Sequence, residues 1–191
     1  DEVMAIIAER LRAPLSERDR WAAAQLAHLP SFAAGLAAEL ADDQLLRRLT
    51  DAGVAFTTIG PGVLRMAGPV AEQISTWASL DPSVAIRTAG EYAATGHLAD
   101  GLRLLTDSGS FDEAAALLLG AGDDVEPNEL LTLLRTLPDS GRYRYPYLSI
   151  HESRALVELV QWDRWSAVLD RLDAHPARRS DPALRDAADA E

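Results

Sequence analysis

Residues 42–74 have the sequence DDQLLRRLTDAGVAFTTIGPGVLRMAGPVAEQI, and the change of pattern within this stretch decides the fold. Its first part carries leucines at helical spacing, which predicts a short helix capped by Asp42 or Asp43. The apolar residues then alternate on both sides of Gly60-Pro61-Gly62, which predicts a two-stranded hairpin, and Pro69 opens another helix. Because an isolated hairpin is marginally stable in water, we expect it to pack against the neighbouring helices.

Helical patterns precede this stretch. Apolar residues between Val3 and Leu11 predict a helix that ends a preceding helical segment, residues 1–13. A second helix follows a capping sequence at Ser16, and a brief third helix covers the apolar residues from Ala33 to Leu40. The order helix, short helix, helix and two-stranded wing is that of a winged helix, which we place at residues 14–80.

Residues 81–191 repeat a pattern of short amphipathic helices that end at glycine or proline. Connections of a few residues predict antiparallel neighbours, and helix pairs that expose an apolar face must stack on the next pair. The spacing of small and aromatic residues around Tyr92, Gly96 and Gly109 is similar to that of tetratricopeptide repeats (TPRs), although no strict period is kept. We therefore predict a mainly α protein with a TPR-like array. Asp181-Pro182 begins either a frayed last helix or a tail.

Composition excludes several classes of function. The net charge of −12 opposes binding to phosphate backbones and anionic membranes. The chain contains neither lysine nor cysteine, which excludes a P-loop lysine, thiolate catalysis and zinc sites built on cysteine. No apolar run approaches the roughly 20 residues that span a bilayer. We expect a cytoplasmic protein with no direct binding to nucleic acid or membrane. The chain begins without Met inside an apparent helix, which indicates a piece of a longer polypeptide.

Four segments carry a family resemblance: LAHLPSF (26–32), LAAEL (36–40), LRRLTDAGV (46–54) and EYAATGHL (91–98). With the hairpin, they resemble the region that follows the nucleotide-binding module in large LuxR-type regulators of the MalT group, members of the STAND class of ATPases. The resemblance implies a winged helix and a TPR-like sensor region between a P-loop module and a DNA-binding helix-turn-helix. Many members carry a histidine after the second wing strand, where this chain has Ala67-Gly68, so we transfer no nucleotide-binding residue.

Residues with catalytic chemistry do not form a recognisable site. The four histidines lack the i,i+4 spacing of a helical metal site, which favours surface or interface roles; they are His28, His97, His151 and His175. His151 and Glu152 are the nearest approach to an acid-base pair, but adjacent helical residues point about 100° apart. Gly60-Pro61-Gly62 lacks the lysine of a phosphate loop, and the acidic run 123–126 favours complementing a helix dipole over binding calcium. We assign no catalytic, cofactor-binding or metal-binding residue.

Two aromatic groups are candidate contact surfaces. The Arg-Tyr segment, residues 142–147, alternates cations with rings and is either a partner-binding surface or a connection that covers the end of a helix pair. We select Arg142, Tyr143, Arg144 and Tyr145 as candidate partner-binding residues. Trp162 and Trp165 lie at i,i+3, which favours packing in the core or between repeats.

The sequence thus predicts a non-catalytic regulatory fragment of a STAND-class, LuxR-type regulator. It would relay binding of a small-molecule or protein inducer to its own nucleotide-binding and DNA-binding modules, with ATP or ADP bound by the former and no cofactor in this segment. The alternative is a stand-alone helical adaptor or a winged-helix protein that binds DNA directly. An enzyme is the least favoured class.

Overall fold

The structure is a computed structural model that describes residues 9–121, 124–139 and 144–189. Within these ranges the chain is mainly helical and carries one small three-stranded antiparallel sheet. The chain divides into two compact units, Asp1–Ala85 and Ile86–Glu191. The first helix expected from the sequence lies mostly outside the described residues, and residues 9–12 are its helical remainder.

The first unit contains, in order, α1 (Glu17–His28), β1 (Phe32–Ala33), α2 (Ala34–Leu40), α3 (Leu45–Asp51), β2 (Phe56–Gly60), β3 (Val63–Met66) and α4 (Gly68–Ser75). Helix α1 begins at the predicted cap, where the Asp19 N–H donates to Ser16 Oγ at 3.1 Å. It packs against α4, in which Ile74 is fully buried. Gln25 of α1 is also fully buried, and its amide bonds the Ser79 carbonyl at 3.0 Å and the Asp81 N–H at 2.7 Å. These two bonds fix the connection that follows α4.

The predicted two-stranded hairpin forms, and the sheet also contains a third strand that we did not predict. Strands β2 and β3 pair antiparallel, and β1 adds to the other edge of β3, so that the order is β1-β3-β2. Phe32 of β1 lies opposite Leu64, and its ring meets the Phe56 ring edge-on with centroids 6.1 Å apart. A strand of two residues is too short to show an alternating pattern, so only its pairing identifies it. Ala33, which we expected in a helix, belongs to this strand.

The predicted aspartate cap of α3 is also corrected. The N-cap position is Gln44, without a capping side chain. Asp42 Oδ1 instead accepts from the Gln44 N–H at 2.8 Å, and the same carboxylate pairs with Arg48. At the other end, Gly53 adopts a φ of 100°, as expected for the residue that ends a helix.

The second unit begins within α5 (Pro82–Ala94) and continues with α6 (Leu98–Asp107), α7 (Phe111–Ala121), α8 (Pro127–Leu134), α9 (Pro146–Glu158), α10 (Trp162–Ala174), α11 (Ala177–Ser180) and α12 (Pro182–Asp189). Its core is dominated by leucines from most of these helices, including Leu102, Leu118, Leu134 and Leu156. The segment after Asp181 is a helix whose Leu184 is fully buried, and it packs on α9. Of the two alternatives for this segment, the helix is therefore correct.

Three connections in this unit share one turn. Gly96, Gly109 and Val160 all have positive φ, and the N–H of the following residue donates to the carbonyl five positions earlier in each case, at 2.8 to 2.9 Å. Glycine adopts this left-handed conformation without strain, whereas the β-branched Val160 does not. The third turn is therefore invisible to a search for glycine.

Among the described residues, no helix combines the length and the apolar character that crossing a bilayer requires.

Candidate functional site

The Arg-Tyr segment is described only from residue 144 onward, so the selected Arg142 and Tyr143 lie outside the described residues. Arg144 is exposed, and its NH1 donates to Asp112 Oδ1 at 3.1 Å at the start of α7. Its guanidinium carbon lies 5.9 Å from the centroid of the half-buried Tyr145 ring. A hydrogen bond to Asp112 raises the pKa of Tyr145. Both selected residues that the structure describes therefore contact α7 through one aspartate.

Tyr147 connects the same segment to a second helix. Its hydroxyl donates to Asp181 Oδ2 at 2.9 Å, and the other oxygen of Asp181 accepts from the N–H groups of Ala183 and Leu184 at the start of α12. The hydrogen bond raises the pKa of Tyr147 and lowers that of Asp181. The described half of the Arg-Tyr segment thus contacts the first turns of α7 and α12, while Arg144 and Tyr147 remain partly exposed to solvent.

A cavity of about 330 Å³ lies beside this segment, between the start of α9 and the end of α10. Its described lining is Asp139, Pro146, Ser149, Glu152, Arg171, Leu172 and His175. Glu152 is buried, with 8% of its surface exposed, and its Oε2 accepts from Arg171 NH2 at 2.9 Å. The Arg171 side chain remains half exposed. The cavity therefore offers a carboxylate and a guanidinium side by side, next to an apolar wall.

Sequence reasoning missed this ion pair, although a signal exists. Glu152 falls on the apolar stripe of α9 that Leu148, Ala155 and Leu159 define, where an acidic residue needs a partner. His151 lines a second, separate cavity of about 300 Å³, together with residues such as Arg154 and Glu158. The neighbours His151 and Glu152 therefore serve different surfaces, which agrees with rejecting them as an acid-base pair.

The two tryptophans differ in environment. Trp165 Nε1 donates to the fully buried Ser153 Oγ at 2.9 Å, which packs α10 on α9 as expected. Trp162, in contrast, is 53% exposed, so the prediction that it packs in the core or between repeats is wrong. It lies at the first position of α10, after the turn at Val160, and its ring meets the Trp165 ring edge-on, with centroids 5.8 Å apart.

The arginines of α3 are paired with acidic residues. Arg48 donates from Nε and NH2 to both oxygens of the buried Asp19, at 3.1 and 2.6 Å, and also contacts both oxygens of Asp42. These hydrogen bonds lower the pKa of both aspartates. Arg47 lies 3.8 Å from Asp51 on the same helix. The cations Arg47 and Arg48 of α3 therefore both have acidic partners.

The histidines remain dispersed. His28 Nε2 lies 2.9 Å from the Ala78 carbonyl, and His175 Nδ1 accepts from the Ala177 N–H at 3.1 Å. His97 stacks edge-on against Tyr92. In the three described ranges, no group of three or more potential ligands is placed to hold a metal ion.

No family model, curated protein or solved structure matches this chain.

Proposed function

We propose that this chain is a non-catalytic regulatory module of a STAND-class, LuxR-type transcriptional regulator, formed by a winged helix and a TPR-like helical region. The observation that carries the proposal is the order of elements in the first unit. Helices α1, α2 and α3 precede the β2-β3 hairpin, and the short β1 between α1 and α2 adds to the edge of that hairpin. This is the order of a winged helix.

The second unit supports the TPR-like half of the proposal. Apart from α8 and α9, consecutive helices of this unit are joined by connections of a few residues, and the turn at Gly96 is repeated at Gly109. A small residue brings α5 and α6 together, because a Cβ on Gly101 would lie 2.8 Å from the Ala89 carbonyl oxygen. Such close approaches by small residues are what stacked helix pairs require.

The module would relay a signal. In this proposal an inducer, either a small molecule or a protein, binds the helical region, and the winged helix communicates with a nucleotide-binding module that holds ATP or ADP. The DNA-binding module of the same polypeptide then responds. This segment contributes no catalytic residue and no cofactor-binding residue to the process, and we propose that it acts in the cytoplasm.

The alternative of direct DNA binding by a winged helix receives less support. Phosphate contacts need free cations, and Arg48 is held by two aspartates while Arg47 lies beside a third. Fluorescence anisotropy with a labelled duplex should therefore show negligible affinity at physiological salt. A salt-sensitive micromolar complex would favour the DNA-binding alternative.

The complete reading frame tests the proposal most simply. We expect a P-loop module encoded before this segment and a helix-turn-helix encoded after it. A frame in which neither occurs would contradict the proposal and favour the stand-alone adaptor.

A further inference from the structure

We propose that the cavity beside the Glu152–Arg171 ion pair binds a small zwitterion, namely a free α-amino acid with an apolar side chain. This inference deepens the proposed function by naming the class of inducer, and it rests on that function only for the physiological role of binding.

The volume of the cavity sets the size of the ligand. At about 330 Å³ it lies at the lower end of the range of small-molecule pockets, roughly 300 to 1,000 Å³. A single amino acid with a branched or aromatic side chain fits within this volume, whereas a folded peptide segment does not.

The ion pair matches the two charges of an amino acid. A carboxylate has about four acceptor positions, and the recorded contact from Arg171 to Glu152 uses one of them. A guanidinium has five N–H donors, and the half-exposed Arg171 presents the remainder toward the cavity and solvent. An α-ammonium can therefore donate to Glu152 while the adjacent carboxylate accepts from Arg171, in charge-assisted hydrogen bonds.

The two charged groups that lie side by side in the described lining disfavour ligands with a single charge. Glu152 is acidic, and Arg171 beside it is basic. A simple anion must lie against the carboxylate, and a simple cation must lie against the guanidinium. A zwitterion avoids both penalties.

The apolar wall of the cavity can contact the side chain of the bound amino acid. Pro146 at the start of α9 and the buried Leu172 of α10 face the space beside the ion pair. Contact with these residues removes apolar ligand surface from water, worth roughly 25 cal/mol per Å². Branched and aromatic amino acids should therefore bind more tightly than glycine or serine.

Isothermal titration calorimetry with the whole chain tests the inference. L-leucine and L-phenylalanine are the probes, and each should bind with a Kd below about 1 mM. Isoamylamine lacks the carboxylate of leucine and 4-methylpentanoate lacks its ammonium, and both should bind at least tenfold more weakly. If neither probe binds, or if isoamylamine or 4-methylpentanoate binds as tightly as leucine, the inference is wrong.

Variants locate the site. Ser149→Leu fills the cavity from α9 without changing the ion pair and should abolish binding, whereas Ser166→Leu, on an exposed position of α10, should leave it intact. Glu152→Gln removes the carboxylate. Circular dichroism establishes that this variant is folded, and titration with leucine then tests the role of the carboxylate. Binding that survives Ser149→Leu would place the ligand elsewhere and overturn the inference. A failure to bind amino acids leaves the regulatory proposal standing, because the reading frame tests that proposal independently.

Discussion

Replacing Val160 by glycine should stabilise the second unit, although it removes side-chain atoms. Val160 has a φ of 57° at the end of α9, and among the residues that the structure describes it is the only non-glycine residue with positive φ. The two equivalent turns place Gly96 and Gly109 at this position. The valine is 64% exposed, so most of its surface contributes little to packing.

The change in the free energy of unfolding follows from one stabilising contribution and two that reduce it. The left-handed conformation costs an L-residue about 1 to 2 kcal/mol, and branching at Cβ places valine toward the upper end. Glycine also gives the unfolded chain greater conformational freedom, which reduces this gain by roughly 0.4 to 1 kcal/mol. Loss of the buried third of the valine side chain reduces the gain by about another 0.5 kcal/mol. We expect a net gain of about 0.5 to 1 kcal/mol.

Urea unfolding monitored by circular dichroism measures this difference. Gly96→Val and Gly109→Val are matched reversals, because a Cβ at either glycine meets no atom within 4 Å and the penalty is confined to the backbone. Both should destabilise the protein, by about 1 kcal/mol each. A lower midpoint for Val160→Gly at an unchanged m-value would refute the argument that this turn is strained.

Other substitutions test separate parts of the structure. Asp19→Asn should lower the free energy of unfolding by about 2 kcal/mol at neutral pH, because it removes a buried partner of a charged group. Arg48 depresses the pKa of Asp19 below 3.8, so this stability is present at higher pH and is lost as pH falls through the folded-state pKa; acid titration of both proteins should show their difference shrinking. Thr88→Val should raise the free energy of unfolding by about 1 kcal/mol and raise the melting temperature with it, because the buried Thr88 Oγ1 has no hydrogen-bond partner among the described residues. Equal or lower stability than wild type would contradict this. Gly101→Ala should destabilise by about 1 to 3 kcal/mol through its clash with a carbonyl, whereas Gly90→Ala, at an open position, should stabilise by up to about 1 kcal/mol; the same sign in both thermal melts would contradict the packing described for α6.

Local signals were sufficient for much of the fold. The Ser16 cap, the hairpin around Gly60-Pro61-Gly62 and the glycine turns at 96 and 109 were each predicted from a few adjacent residues. In these places propensity, turn chemistry and pattern agree with the tertiary structure, which is what makes a sequence readable.

The remaining features depend on contacts between distant residues. Strand β1 has two residues and exists only through pairing with Val63 and Leu64. The turn at Val160 contradicts local propensity and is imposed by the packing of α9 on α10. In the candidate cavity, Glu152 was visible on the apolar stripe of its helix, but its partner Arg171 lies on the next helix and no local pattern connects them.

The ion pairs of α3 likewise depend on contacts that the sequence does not show. Arg47 and Arg48 are adjacent in α3, and their sequence alone does not show which carboxylates they contact. Asp42 is close in sequence, whereas the buried Asp19 comes from α1. The expectation of weak DNA binding from the overall negative charge now has a specific physical basis in these pairs.

The central claim is that this chain regulates a nucleotide-binding module, and one titration tests it directly. The nucleotide-binding module of the same reading frame would be expressed separately and titrated with this chain in the presence of ADP and then of ATP. The account predicts a saturable complex whose Kd differs between the two nucleotides by at least about fivefold, the lower end of allosteric coupling. No complex with either nucleotide, or the same Kd with both, would contradict it.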